Sequence, residues 1–329
     1  MEIWELVGDL YPDFEDEMRR VEEVLLDSIP QSTPEELYSA SRHLIAARGK
    51  RIRPALVLLS FRAVNPEGEL ESVLPIAAGI ELIHTATIIH DDIIDLAVMR
   101  RGVESVNERW GNHIALLAGD LIFATAFGLI GSHPLGELSR VVSHACRQLA
   151  EGEVLETLHT GNANITEEVY LEIVERKTAS LFWASAKCGA IAGGGSEAEI
   201  GALESFGFLL GIGFQMTDDI LDVVAGEKVL GKKVGMDISS GKPTFMVLHA
   251  LRNTSGEVRR ELEEILKRGS VEDVGRVLEI LEASGSIEYA RRRAEHFIRR
   301  ALEKLDGIRD TRAKRALRAI AEYAILREF

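Results

Sequence analysis

The residues best able to do chemistry are carboxylates set in apolar sequence. Residues 90–101 read HDDIIDLAVMRR, with Asp91, Asp92 and Asp95 among Ile88, Ile89, Ile93, Ile94 and Leu96. Four residues apart on a helix, Asp91 and Asp95 project from one face and can grip the same hard cations. The chain repeats the device at Asp218, Asp219 and Asp222, in QMTDDILD. Carboxylates this close together in apolar surroundings repel one another and are costly unless cations compensate. Oxygen-only donors, with no Cys ligands and no ExxH partner, point to Mg²⁺ rather than zinc or a di-iron centre. Mg²⁺ takes a few carboxylates, keeps waters and completes its shell with phosphate oxygens, so the implied ligand is a phosphate or diphosphate.

The basic residues agree with that reading. GKRIRP at residues 49–54 sets Gly49, Lys50 and Arg53 at a helix start, and Arg100 and Arg101 follow the first acids. Such cations are ordinarily solvated, but clustered they make a second anion site. His84, on the helix of the first acids, could donate a hydrogen bond there, although a helical His is more often a packing or surface residue. Lys177 with Thr178, Lys232 and Lys242 are further candidate diphosphate donors. Gln215 and Phe214, just ahead of the second acids, could turn a dipole and a ring face toward a developing cation, and core packing explains Phe214 equally well. The glycines at 211 and 213 are too close for a dinucleotide loop and follow no strand.

These groups must be positioned by helices, since strand-like alternation is nearly absent. Thr33, Pro34 and Glu36 read as a helix start with a capping box. That helix ends near Gly49, and further periodic segments cover about 54–64, 71–96, 112–130 and 135–159. One helix is expected over 166–192, stopped by three glycines, and Ser196 begins a long one that carries the second acids. Residues 226–242, GEKVLGKKVGMDISSGK, read as a mobile loop beside an anion. Helical periodicity resumes at Pro243, with breaks at 253–256, 269–270 and 285–286. The expectation is all-α: a single large helical bundle of a dozen or so helices around an apolar core, one domain over residues 1–329, with no linker or repeat.

A net charge of −15 argues against a nucleic-acid partner. The two cysteines, Cys146 and Cys188, have no metal or redox spacing and read as buried thiols of a cytoplasmic protein. The acidic N-terminus lacks the pattern of a signal peptide. No transmembrane segment is expected: the most apolar run, residues 114–131, carries Gly119 and Asp120 near its middle and reads as a buried core or subunit-interface helix.

Taken together, these residues resemble the trans-isoprenyl diphosphate synthases, or polyprenyl synthetases. GKRIRP, DDIIDLAVMRR, GD at 119–120, EGE at 151–153, KT at 177–178, FQMTDDILD at 214–222 and GKKVGMD followed by GK occur in that family's order over nearly the whole chain. The resemblance implies an isoprenoid-synthase fold, a helical bundle around a central cavity. It also implies a prenyltransferase that adds isopentenyl diphosphate 1'-4 to an allylic diphosphate and releases pyrophosphate. By resemblance, Asp91, Asp95 and Asp218 would coordinate three Mg²⁺ ions on the allylic diphosphate, with Asp92, Asp219 and Asp222 in support. Arg100, Lys177, Lys232 and, more weakly, Lys242 would grip the same diphosphate, and Lys50, Arg53, His84 and Arg101 would hold isopentenyl diphosphate. The family is usually homodimeric, with residues 114–131 suited to the interface. Two departures stand out: Glu104 and Ser105 where the family often has Pro-Thr, and Phe245 and Met246 where it often has Leu-Pro.

Product length turns on the residues upstream of the first acids. Ala86 and Thr87 lie roughly 6–8 Å before Asp91 along the helix. Farnesyl and geranylgeranyl synthases tend to place an aromatic floor there and this chain does not, so it resembles the long-chain octaprenyl and heptaprenyl branch; Phe123 or Phe127 could supply a deeper floor. A geranylgeranyl or farnesyl synthase is the alternative. A class I terpene cyclase would usually carry an Asn/Asp-Ser/Thr-Glu second motif instead of DDILD, and a noncatalytic partner subunit would have lost acids that are present here.

Overall fold

Apolar residues recurring every three to four positions fold into helices along almost the entire chain. The computed structural model describes residues 3–47, 49–224 and 235–326. In chain order the helices are α1 Ile3–Leu10, α2 Phe14–Asp27, α3 Glu35–Ala46, α4 Ile52–Val64, α5 Leu74–Ile94, α6 Val106–Trp110, α7 Asn112–Gly131, α8 Gly136–His159, α9 Glu167–Val174 and α10 Ser180–Ala192. They continue as α11 Glu197–Val224, α12 Met236–Ser239, α13 Phe245–Asn253, α14 Gly256–Arg268, α15 Val274–Ala283, α16 Ser286–Lys304 and α17 Arg312–Leu326. The fold is all-α, with more and shorter helices than periodicity alone predicts.

Three local expectations need correction. Pro34, with no side-chain acceptor, occupies the N-cap of α3, so Thr33 makes no cap and the capping box does not form. The box forms instead at α11, where the Ser196 N–H and hydroxyl donate to Glu199 Oε2 at 2.9 and 2.8 Å while the Glu199 N–H donates back to Ser196 Oγ at 3.3 Å. The run over 166–192 is interrupted by a π turn at Glu175–Ala179, which contains Lys177 and Thr178. Past the first acids, α5 ends at Ile94 and the chain forms a two-stranded antiparallel hairpin, β1 Met99–Arg100 and β2 Val103–Glu104. Its turn, Arg101 and Gly102, takes φ of 51° and 78°, the doubly left-handed geometry that suits a tight hairpin.

The chain groups into two compact units. The first comprises Met1–Cys146, Leu181–Gly207 and Lys304–Ile320. Its centre is α4 and α5, apolar nearly all round and correspondingly buried, with Leu56, Leu58, Ile80 and Ile83 all at 0 % exposure. Within this unit α5 packs most extensively on α7. The second comprises Arg147–Ser180, Phe208–Glu303 and Ala321–Phe329. Here Phe245 stacks on Tyr289 at 5.4 Å and lies 5.4 Å from Tyr170, ring centroid to centroid.

Among the described residues, three helical stretches are long and apolar enough to cross a membrane by length and composition: Leu70–Ile94, Asn112–Gly131 and Glu197–Val224. The first and third bury 72 % and 56 % of their most apolar windows, but α7 buries only 33 %. Of the two readings of residues 114–131, the buried core is therefore wrong, because Leu116, Leu117 and Phe127 stand exposed along one face.

Candidate active site

In the first unit the acids meet their cations through the hairpin. Asp92 is fully buried, Asp91 half-buried, and Asp95, the C-cap of α5, exposed. The hairpin folds Arg100 back onto them: its Nε donates to Asp92 Oδ1 at 2.8 Å, and a second guanidinium nitrogen bonds the same oxygen. The nearby charges of Asp92, Asp91 and Asp95 all favour charged Arg100. Burial pushes the Asp92 carboxyl up, against the pull of Arg100, and its Oδ2 is buried with no hydrogen-bond partner among the described residues. Glu104 and Ser105, where Pro-Thr is common, do not disturb this. Ser105 Oγ still caps α6, accepting from the Glu108 N–H at 3.4 Å, and donates to the Ala97 carbonyl.

The same unit gathers a basic cluster around His84. Arg53 Nη1 lies 2.9 Å from His84 Nε2 and its guanidinium carbon 4.8 Å from the Phe182 ring centre. A guanidinium only donates, so Nε2 accepts and the imidazole proton sits on Nδ1. In this arrangement Nε2 accepts, and the imidazole's donor is the Nδ1–H. Burial first, then the charges of Arg53, Arg101, Arg51 and Arg100, push His84 well below its ordinary pKa. Lys50 is exposed. Gly49 has a spatial reason, since a Cβ there would come within 2.9 Å of the Arg101 guanidinium carbon.

Sequence reasoning passed over the residue that anchors this cluster. Glu81, 2 % exposed, accepts from Arg51 Nη1 at 2.7 Å and from Arg101 Nη2 at 3.5 Å. Arg51 also bonds Glu22. The signal was available: Glu81 is the one acid in the otherwise apolar LPIAAGIELIHTATII, and a buried acid needs a paired cation. Of the chain-length candidates, Ala86 is fully buried and Thr87 half-buried, its hydroxyl bonding the His84 carbonyl at 2.9 Å. Phe123 lies against His90, ring centroids 5.9 Å apart, whereas Phe127 is 36 % exposed.

In the second unit the acids are locked into a hydrogen-bond chain. Thr178 Oγ1 donates to Gln215 Oε1 at 2.7 Å, Gln215 Nε2 donates to Asp219 Oδ1 at 2.7 Å, and Tyr170 donates to Asp219 Oδ2 at 2.6 Å. Burial, then the charges of Asp237 and Asp218, push Asp219 well above the usual carboxylate range. Asp222, 1 % exposed, accepts from the Asp237 N–H at 2.9 Å and through its backbone carbonyl from Gly235 at 2.6 Å, docking α12 onto α11. Asp218 is half-buried. Lys177 reaches this neighbourhood because of Gly152: a Cβ there would come within 2.5 Å of the Lys177 nitrogen, so only glycine lets α8 and the π turn approach so closely. Lys177 Nζ lies 2.5 Å from Glu153 and 2.6 Å from Glu156, and Lys242 Nζ lies 3.1 Å from the same Glu156 oxygen. Glu156, Lys177, Thr178, Asp219 and Lys242 line a cavity of about 140 Å³. Lys232 lies outside the described residues, as does the centre of the loop expected at 226–242.

Among the described residues no three His, Cys, Asp or Glu side chains converge as a ready-made metal cage. The donors nevertheless fit Mg²⁺: they are all oxygen, one buried Asp92 oxygen lacks a partner, and the ion takes few protein ligands and completes its shell with water and phosphate. Both cysteines are free thiols, but only Cys188 is buried as expected; Cys146 is half-buried, and burial pushes Cys188 up to about 12 and Cys146 up to about 11.

An all-α chain with two aspartate-rich helical segments and cations beside each has the fold and donor set of an isoprenoid synthase. The Polyprenyl synthetase family model matches residues 34–283, and the chain belongs to that family, an enzyme family of prenyltransferases. It is 43 % identical over 311 residues to the short chain isoprenyl diphosphate synthase of Methanothermobacter thermautotrophicus, covering 93 % of this chain and 95 % of the relative. It is 39 % identical over 287 residues to the octaprenyl diphosphate synthase of Escherichia coli, covering 87 % and 88 %. The crystal structure of the Caulobacter crescentus polyprenyl synthase, complexed with calcium and isoprenyl diphosphate, superposes with a TM-score of 0.92 at 31 % identity over 97 % of each chain. The family uses isopentenyl and allylic diphosphates with a divalent metal, generally Mg²⁺.

Proposed function

We propose that the protein is an all-trans polyprenyl diphosphate synthase that adds isopentenyl diphosphate repeatedly, 1'-4, to an allylic diphosphate, with a product longer than geranylgeranyl diphosphate. Residues 1–329 act as one polyprenyl synthetase domain, since the family match draws on both units. The observation that carries the reading is the pairing of each acidic helix segment with cations suited to a diphosphate: Arg100 over Asp91, Asp92 and Asp95, and Lys177 with Lys242 on the cavity that Asp219 lines.

Ionising the allylic C–O bond leaves charge on the departing diphosphate and a carbocation behind. Mg²⁺, held by Asp91, Asp95 and Asp218 as a set of three ions, would supply Lewis-acid stabilisation of that charge. Lys177, Lys242, Lys232 and Arg100 orient and neutralise the diphosphate. Arg53, Arg101 and Lys50 hold isopentenyl diphosphate, and Glu81 keeps Arg101 aimed. Thr178 and Gln215 fix Asp219 through the hydrogen-bond chain that joins the three. The proton lost after condensation leaves with pyrophosphate, so no side-chain base is needed.

Ala86 supports the long product, because a methyl group offers no aromatic floor about one and a half turns upstream of Asp91. The alternative, a geranylgeranyl or farnesyl synthase, draws support from the short-chain relative. The exposed apolar face of α7 supports a homodimer, and the two free thiols, Cys188 buried and Cys146 half-buried, support a cytoplasmic setting. Incubation with labelled isopentenyl diphosphate, each allylic primer and Mg²⁺ tests the reading. Products longer than twenty carbons, absent with Asp91→Ala, are expected; no condensation with any primer refutes synthase activity, and a monomer by light scattering refutes the dimer.

A further inference from the structure

Two lysines assigned to a diphosphate are not waiting for one. Lys177 Nζ lies 2.5 Å from Glu153 and 2.6 Å from Glu156, and the oxygen of Glu156 that binds Lys177 is also 3.1 Å from Lys242 Nζ. All four side chains are only 16–20 % exposed. Burial raises the cost of charge on Glu156, but Lys177 and Lys242 outweigh it and hold its carboxyl below the ordinary range. Two carboxylates therefore already neutralise two ammonium groups at the wall of the cavity.

A diphosphate arriving at these lysines comes close to Glu153 and Glu156, and like charges at such range repel. If affinity for the diphosphate alone mattered, neutral acceptors would occupy the lysines' hydrogen bonds, less strongly than carboxylates, and repel nothing. The charge has a use once the products form. Pyrophosphate on two desolvated, otherwise uncompensated lysines would leave slowly, because its departure would strand buried cations. A resident carboxylate removes that obstacle by taking the ammonium groups back.

We propose that Glu156, assisted by Glu153, is a displaceable counter-anion for Lys177 and Lys242, yielding them to the incoming diphosphate and reclaiming them as pyrophosphate leaves. It is a positioning group with a charge-dependent role in turnover, and the inference rests on the reading of Lys177 and Lys242 as diphosphate ligands. Glu156→Gln isolates the charge, because the amide oxygen still accepts from both lysines.

The test is calorimetric titration of the full-length protein with inorganic pyrophosphate and Mg²⁺, beside steady-state kinetics. Glu156→Gln is expected to bind pyrophosphate roughly ten-fold more tightly, with a lower kcat, a lower KM for the allylic substrate and stronger pyrophosphate inhibition. Glu153→Gln, which touches Lys177 alone, shifts each quantity the same way by less, and stands in if Glu156→Gln does not fold. Unchanged or weaker pyrophosphate binding in the variants overturns the inference and makes the carboxylates mere props. If the wild type binds no pyrophosphate, or Lys177→Ala binds it equally well, the assignment of the lysines falls instead.

Discussion

The Tyr170 hydroxyl donates to Asp219 Oδ2 at 2.6 Å, across 49 residues of sequence. Burial, then the charge of Asp219, holds the phenol protonated and so keeps it a donor. The ring that backs Tyr170 is Phe245, which in turn stacks on Tyr289. Phe245 is one of the two positions where the chain departs from the family's usual Leu-Pro, so that departure supports the side chain fixing the middle acid of the second motif.

Removing that hydroxyl has a measurable consequence. Tyr170→Phe leaves a buried carboxylate oxygen short of a donor, at about 1–3 kcal/mol of stability. An outer partner of a metal-binding group is worth about 10–100-fold in metal affinity. The Mg²⁺ concentration for half-maximal activity is expected to rise by that order, with a matching loss in Mg²⁺-dependent pyrophosphate binding. An unchanged Mg²⁺ curve would show that Gln215 alone fixes Asp219.

Glu81 is the counter-charge of two arginines, and the Arg51 side chain is 5 % exposed. Glu81→Gln removes one of the counter-charges of Arg51, which keeps Glu22, and weakens the hold on Arg101, a loss of about 1–3 kcal/mol. Denaturant unfolding is the measurement. In parallel the KM for isopentenyl diphosphate should rise as Arg101 loses its anchor; a stability change below about 1 kcal/mol would assign the support to Glu22.

His84 makes stability depend on pH. Burial and the surrounding guanidinium charges depress its folded pKa far below 6.5, so the unfolded chain takes the proton first. The contribution of the neutral imidazole is complete above about pH 6.5 and is lost progressively as pH falls toward the depressed folded value. Denaturation midpoints measured from about pH 7.5 to about pH 5 should therefore fall more steeply for the wild type than for His84→Gln. Parallel curves would mean that His84 does not contribute.

Ala86 tests the chain-length reading. Its side chain is fully buried, so Ala86→Phe costs about 1–3 kcal/mol through overpacking, and product chromatography should show shorter chains. Unchanged product length in a folded variant would remove Ala86 from the tunnel and turn attention to Phe123.

Local sequence determined the helices and the inventory of the site. Periodicity marks a helix wherever one face is buried, glycine and proline mark its ends, and the breaks at 253–256, 269–270 and 285–286 fall where α13, α14 and α15 stop. The repeated DDxxD and the ordered basic motifs carried the family. Partners distant in the chain were not legible, because spacing encodes which face of a helix an atom occupies and says nothing of what packs against it. Only the tertiary structure therefore decided that Asp92, Asp219 and Asp222 are buried while Asp95 is exposed. It alone brought Arg100 back through a hairpin, set Glu81 beneath two arginines and gave Lys177 and Lys242 to Glu156. Each follows from one physical demand: a charge taken out of water must find its partner wherever in the chain the fold supplies one.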